Sequence, residues 1–351
     1  MKKKIVALAG DGIGPEIMNA GLHVLKIVAK KVDFSYEVEN YAFGGAGIDA
    51  VGHPLPENTL KAAQASNAIL LAAIGGPQYD KAEVRPEQGL LALRKSLGLF
   101  ANIRPISVHP AIAHLSPLKE EVVAGVDFVV VRELTGGIYF GEPRELTPEK
   151  AIDTNVYTAQ EIRRIIRKAF EIAQTRKKKV TSVDKQNVLA TSKLWRQVAE
   201  EVSLEFPEVT LEHQLVDSCA MVMITHPQKF DVIVTENLFG DILSDEASVL
   251  PGSLGVMPSA SHAESGPSLY EPIHGSAPDI AGKNIANPMS MILSVALMLR
   301  QSFGEEKAAA IIEQACDKVM SRGILTKDLG GTSSTTDFTE AVIKEIEKVE
   351  G

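Results

Sequence analysis

The stretch Asn237-Leu-Phe-Gly-Asp241-Ile-Leu-Ser-Asp245 sets two aspartates four residues apart. On a helix that spacing puts both carboxylates on one face. Like charges so placed weaken a helix by a few tenths of a kcal/mol, so something must offset them. Mg2+ and Mn2+ are hard cations that take one or two carboxylates together with substrate oxygens and water. The plainer alternative is a solvated acidic face near a helix N-terminus, where the dipole tolerates aspartate.

Other residues carry complementary chemistry. Lys185 follows the apolar run 180–183, and a lysine there can lose solvation and basicity, as a proton acceptor must. Asp217 stands at the end of a strand-like run, 210–216. Arg104 lies on the strand-like run 101–108 and Arg132 ends the run 128–131; arginine binds carboxylates through two parallel hydrogen bonds. Glu87, Leu90, Leu91 and Arg94 recur at i, i+3, i+4 and i+7, which is one helical stripe. Such a face suits a ligand that is half branched alkyl and half carboxylate. Otherwise the leucines are core and the charges reach the rim. Tyr139 sits in Glu133-Leu-Thr-Gly-Gly-Ile-Tyr139-Phe-Gly-Glu-Pro143. This glycine-rich stretch reads as an extended arm, able to pair with a second copy of the chain.

The elements that must position these groups alternate. Residues 5–9 read as a buried strand, 16–31 as a helix, 34–41 as a strand, 57–65 as a helix and 68–74 as a strand. The alternation argues for an open α/β sheet, whose ligands gather where strands run out into loops. Gly10-Asp-Gly-Ile-Gly14-Pro15-Glu16 invites a dinucleotide fingerprint, but its third glycine would fall on Pro15, so that assignment is declined. The apolar run 231–235 is a buried strand that delivers Asp241 and Asp245. Residues 252–267 show little periodicity and read as part of a long loop, the kind that is usually functional. Helices near 288–303, 305–321 and 339–349 close the chain.

Composition excludes several classes. The chain has 351 residues, 45% hydrophobic and 23% charged, which fits a folded chain of two domains or one large α/β unit. Its net charge of −9, without a basic block, argues against nucleic acid and anionic membrane as partners. Cys219 and Cys316 have no ligand spacing and read as buried thiols of a reducing compartment. The run behind Met1-Lys-Lys-Lys4 is too short for a signal peptide, and 289–299 is too short to span a bilayer. The expected location is the cytoplasm.

Together these motifs resemble the β-decarboxylating dehydrogenases, the isocitrate/isopropylmalate dehydrogenase family. The resemblance runs from Gly10-Asp-Gly-Ile-Gly-Pro-Glu16 to Asp328-Leu-Gly-Gly-Thr332. Its most specific pieces are the Asn237 stretch, Arg132-Glu-Leu-Thr-Gly-Gly-Ile-Tyr-Phe-Gly-Glu-Pro143 and His274-Gly-Ser-Ala-Pro-Asp279. It implies a two-domain α/β fold of the isopropylmalate-dehydrogenase type, not the Rossmann fold, with an open sheet flanked by helices and a dimer arm. It also implies a discontinuous cofactor-side domain, 1–99 plus 252–351, and a substrate, metal and dimerisation domain, 100–251. The implied activity is NAD-linked oxidative decarboxylation of 3-isopropylmalate to 2-oxoisocaproate, as in leucine biosynthesis, by a homodimer that shares its active site.

Residue by residue, the resemblance gives Arg94, Arg104 and Arg132 the malate carboxylates. Asp241 and Asp245 become ligands of Mg2+ or Mn2+, joined by Asp217 from the second copy. Lys185, also reaching across, takes the hydroxyl proton, and Tyr139 protonates the enol after CO2 leaves. Cofactor contacts fall to Asn187, Glu271, His274, Gly275, Ser276, Ala277, Asp279 and Asn287. Within the family, Leu90 and Leu91, with Val188 nearby, suit an isopropyl group. They would leave isocitrate's third carboxylate unpaired beside Glu87. Asp279 suits ribose hydroxyls and repels a 2′-phosphate, which favours NAD over NADP. Siblings that act on D-malate, tartrate, homoisocitrate or isocitrate are the alternatives, and a catalytically idle ligand-binding protein on the same scaffold is a further one.

Overall fold

The computed structural model describes residues 2–349. They form two compact units. One comprises the chain up to Gly98, His109–Leu115 and the chain from Gly252; the other comprises Leu99–Val108 and Ser116–Pro251. In chain order the first unit begins with β1 (Lys3–Gly10), α1 (Gly14–Lys31), β2 (Tyr36–Asn40), α2 (Gly45–Val51), α3 (Glu57–Ala65), β3 (Ala68–Ala73) and α4 (Pro86–Leu97). The second unit holds β4 (Ala101–Ser107), α5 (Glu120–Val123), β5 (Asp127–Glu133), β6 (Gly141–Leu146), β7 (Ala151–Thr154) and α6 (Ala159–Gln174). It continues through β8 (Lys179–Asp184), α7 (Ala190–Ser203), β9 (Thr210–Leu215), α8 (Val216–Thr225), β10 (Val232–Thr235) and α9 (Asn237–Ala247). The first unit is then completed by β11 (Pro258–His262), β12 (Ser268–Pro272), α10 (Met289–Phe303), α11 (Glu306–Ser321) and α12 (Thr335–Lys348).

In the first unit the strands lie in the order β2-β1-β3-β12-β11. β1 runs parallel to β2 and β3, β12 runs parallel to β3, and β11 is antiparallel to β12. This is not the 3-2-1-4-5-6 order of a dinucleotide-binding sheet. β3 is buried along its whole length. A strand covered on both faces reads as a continuous apolar run, as Ala68-Ile-Leu-Leu-Ala-Ala73 does. α10 is buried at nearly every position from Met289 to Leu299, so it lies inside the unit. Asp11, just beyond β1, ties the start of α2 to the loop after β3, because its carboxylate accepts N–H bonds from Gly45, Ala46 and Gly75, each of 2.8 Å.

The long loop expected over 252–267 is not a loop throughout. Part of it forms β11, and the chain beyond it forms β12. Pro258-Ser-Ala-Ser-His262 lacks β-branched residues and alternation, yet its first four residues are buried. Neighbours supply the burial, so no periodicity marks it.

The second unit has the order β4-β5-β10-β8-β9, with β4 antiparallel to β5 and the rest parallel. α6 starts at a reciprocal cap, in which the Thr158 hydroxyl and the Glu161 carboxylate each accept the other's backbone N–H. It buries Ile162, Ile165, Ile166, Ala169, Phe170 and Ala173. α7 buries Trp195, whose indole N–H donates to the Ser182 hydroxyl at 3.1 Å. β6 and β7 form a separate antiparallel pair with mostly exposed side chains. Cys219 and Cys316 are free and buried. Among the described residues no helix is long and apolar enough to cross a membrane.

Gly12 has no room for a side chain. Its φ is +57°, and an added Cβ would lie 2.0 Å from the Ser276 carbonyl oxygen, which accepts the neighbouring Ile13 N–H at 2.8 Å. Gly12→Ala is expected to destabilise the protein by about 3 kcal/mol, from left-handed strain plus the clash. Urea unfolding of the two proteins checks this, and a loss below about 1 kcal/mol contradicts it.

Candidate active site

Strand ends of the second unit carry the polar groups. Arg132, at the C-terminal end of β5, is only 6% exposed. Its guanidinium donates from Nε and Nη2 to the Asn237 side-chain oxygen at 3.1 and 2.8 Å, and from Nη1 to Asp241. Gly240 lets this happen, since a Cβ there would lie 2.6 Å from Cγ of Arg132. The start of α9 is fixed from its other side, where the Asn237 backbone N–H donates to the Tyr157 hydroxyl at 2.9 Å. The Asn237 amide also donates to the Gly136 carbonyl at 3.2 Å.

Arg104 of β4 approaches the next turn of the same helix. It donates to Asn102 at 2.8 Å, to the Ser244 hydroxyl at 2.7 Å and to Asp245 at 3.2 Å. Tyr139, in the short turn before β6, donates its hydroxyl to the second Asp241 oxygen at 2.9 Å. Burial, together with the Asp241 carboxylate, holds the Tyr139 phenol above its ordinary range, so it stays protonated at neutral pH. Arg104, Arg132, Tyr139, Asp241 and Asp245 thus form one constellation around α9. Cations there face carboxylates and a protonated phenol.

Asp217 and Lys185 form a separate pair, with Nζ to Oδ1 at 2.5 Å. Asp217 lies in the first turn of α8 rather than at a strand end, because β9 stops at Leu215. α8 starts without a side-chain cap, so its sequence does not announce it. The amine beside it holds the Asp217 carboxyl below its usual range. Among the described residues no three His, Cys, Asp or Glu side chains cluster tightly enough to hold a metal ion. Asn187 and Val188 are exposed in the turn after Lys185.

The first unit carries the other expected residues. On α4, Glu87 and Leu91 are exposed and Leu90 is half-buried. The core contacts fall to Leu93 and Leu97 instead, so the stripe stays open. Arg94 donates to Glu271 at 2.9 Å; a residue expected on substrate is thereby tied to one expected on cofactor. A cavity of about 670 Å³ is lined by Ile13, Gly255, His274, Gly275, Ala277 and Asn287, among others. The His274 Nδ1 lies 2.9 Å from the Gly275 carbonyl, which can only accept, so Nδ1 carries the proton. Nε2 is then a buried acceptor without a partner among the described residues. Burial also holds His274 below the usual imidazole range, keeping it neutral. Ser276 is buried and its carbonyl joins the β1–α1 loop, while Asp279 is exposed and does not line the cavity. Sequence reasoning missed Lys327 and Asp328 as lining residues. Asp328 accepts from Ser253 at 2.6 Å and from Asn287 at 3.0 Å. The Asp328-Leu-Gly-Gly motif was the available signal.

Known proteins resemble this chain along nearly its whole length. Residues 4–342 match the family model described as isocitrate/isopropylmalate dehydrogenase. A protein named 3-isopropylmalate dehydrogenase from Streptococcus thermophilus is 71% identical over 346 residues, covering 99% of this chain and all of that one. One of the same name from Streptococcus mutans is 73% identical over 341 residues, covering 97% of this chain and 99% of that one. Among solved structures, isocitrate dehydrogenase from Methylococcus capsulatus superposes with a TM-score of 0.87 at 35% identity, covering 99% of this chain and 100% of that one. A β-decarboxylating dehydrogenase from Thermococcus kodakarensis gives a TM-score of 0.84 at 37% identity, covering 98% of this chain and 96% of that one.

Asn237→Ala removes the acceptor for two Arg132 donors beside a buried charge. A loss of about 2–3 kcal/mol in urea unfolding is expected. An unchanged unfolding midpoint would contradict the anchoring role.

Proposed function

The chain belongs to the isocitrate/isopropylmalate dehydrogenase family, and from that premise we propose that it converts 3-isopropylmalate to 2-oxoisocaproate, reducing NAD+, in leucine biosynthesis. The observation that carries this reading is the convergence of Arg132, Arg104 and Tyr139 on Asp241 and Asp245. Around one face of α9 gather donors for substrate carboxylates, oxygens for a cation and a phenol that keeps its proton.

The residues present fit the two groups that the family implies. Asp241, Asp245 and Asp217 offer only carboxylate oxygens, the donor set of Mg2+ or Mn2+ and not of a softer metal. The cavity of about 670 Å³, with an unpartnered buried acceptor on His274, fits part of a dinucleotide that bears an N–H donor. When bound, the metal supplies Lewis acidity toward the hydroxyl and its carboxylate, and NAD+ supplies the hydride acceptor.

Arg94, Arg104 and Arg132 hold the malate carboxylates and fix their orientation. Lys185 receives the hydroxyl proton at Nζ. Tyr139 delivers its phenol proton to the carbon that lost CO2. Leu90 and Leu91, left partly uncovered on α4, take the isopropyl group. Asp279 selects NAD by its charge. Lys185 and Asp217 act on the site of a second copy, in a homodimer. Exposed Met221 on α8 and Ile242 on α9, together with the β6–β7 pair, support that assembly. The reading places the enzyme in the cytoplasm.

NADH formation with Mn2+ and NAD+ is expected from 3-isopropylmalate, with kcat/KM above that for D-malate by about tenfold or more. EDTA is expected to abolish it. Faster turnover of D-malate would overturn the substrate assignment. Lys185→Ala is expected to lower kcat by about 10²–10⁴ while leaving the Kd for NAD+ within about twofold, read by NADH absorbance and by calorimetry. Near-normal kcat would remove Lys185 from proton transfer.

A further inference from the structure

Three adjacent strands of the second unit end in carboxylates at one level. Thr235 of β10 pairs in register with Arg132 of β5 and Val183 of β8. The next residues, Glu236, Glu133 and Asp184, therefore stand side by side and point to the same face. All three are buried, Glu236 being 5% exposed.

The two outer carboxylates are compensated. Glu133 accepts from the Thr135 and Gly136 backbones at 2.9 and 2.8 Å and pairs with Arg164 of α6 at 3.6 Å. Asp184 accepts two bonds of 3.0 Å from Arg196 of α7 and one from the Gln186 backbone. Among the described residues Glu236 has neither a cation nor a backbone donor. Its one partner among the described residues is the Asn155 amide N–H, at 3.5 Å. That amide also donates to the Thr191 hydroxyl at 3.2 Å, while its oxygen is buried with no partner among the described residues. A neutral carboxyl beside a side-chain amide can give and take one hydrogen bond each, which satisfies both groups.

Asn155 follows β7, the return strand of the arm. Its neighbour Val156 accepts the Gly137 N–H at 3.0 Å, which fixes the turn that holds Tyr139. One residue after Glu236, α9 begins, with Asp241 bonded to Tyr139.

We propose that Glu236 is a positioning residue: protonated, its carboxyl pairs reciprocally with Asn155 and holds the Tyr139 turn against the start of α9, and ionised it lets that contact go. The proposal rests on the reading of Tyr139 and Asp241 as reacting-site residues. Burial pushes the Glu236 carboxyl up to about 7, with the Asn155 bond opposing and the Glu133 carboxylate adding. Among the described residues, the charged and titratable groups around it are Glu133 with Arg164, Tyr157, and Asp184 with Arg196, and Glu161 acts on Tyr157 in turn. None of these supplies Glu236 with a cation of its own.

The sign of the pH effect follows. The folded value lies above the unfolded one, 4.5, so this group's stabilisation is full below that value and is lost as pH rises to about 7. Glu236→Gln keeps the shape and both hydrogen bonds and cannot ionise. Its melting temperature relative to wild type is expected to rise by about 2 °C or more between about pH 5 and pH 8. Amide exchange at Gly137 in the wild type is expected to show a step near pH 7 beyond ordinary base catalysis, absent in the variant. Across that step the kcat ratio of variant to wild type is expected to change about threefold or more, with the KM for NAD+ unmoved. A flat difference in melting temperature overturns the protonation. A melting-temperature step without a Gly137 step overturns the positioning role. The wild-type exchange measurement decides alone if the variant does not fold, and neither stability nor exchange depends on the reaction proposed above.

Discussion

A guanidinium that is 6% exposed must find its hydrogen bonds inside the protein, and Arg132 finds them on α9. Removing a charge from water costs several kcal/mol unless it is paired and fully bonded. The side chain therefore dictates what stands opposite it. Asn237 must offer its oxygen, Gly240 must lack a side chain, and Asp241 must present a carboxylate. These constraints fix the rotation of α9 about its axis, and with it the face on which Asp245 appears one turn later. Arg104 repeats the arrangement at that turn through Ser244 and Asp245.

The same frame explains how one small region holds opposite charges at close quarters. Arginines occupy the carboxylates from one side, while Tyr139 stays neutral because burial and Asp241 oppose its ionisation. A hydroxy-acid ligand and a hard cation are the natural complements of such a surface, since each meets a fixed charge of opposite sign. On the far side of the strand ends, Glu133 and Asp184 are balanced by Arg164 and Arg196, while Glu236 is left to a neutral amide. That difference comes from which helix lies above each strand. α6 and α7 bring arginines to the outer strands, and the segment over β10 brings Asn155.

Much of this was legible in the chain. The Asp241–Asp245 spacing needed only helical geometry, and α9 indeed carries both. The buried strands β1, β3 and β10 declared themselves as short apolar runs. Pro15 correctly ruled out the dinucleotide fingerprint, and the strand order agrees. The start of α8 and the strand β11 were not legible, for one reason in each case: α8 has no capping side chain and β11 has no alternation, so each owes its form to its surroundings.

Local sequence thus determined which residue types recur at which spacing, because helix and strand periods are properties of the backbone alone. It fixed the chemistry on offer, the family resemblance and the presence of an α/β fold. Partners distant in the chain were decided only by the tertiary structure. Arg94 meets Glu271 across 177 positions, Arg104 meets Ser244 across 140 and Arg132 meets Asn237 across 105. Nothing in the spacing of such residues encodes their meeting; the strand order and the burial of each charge do.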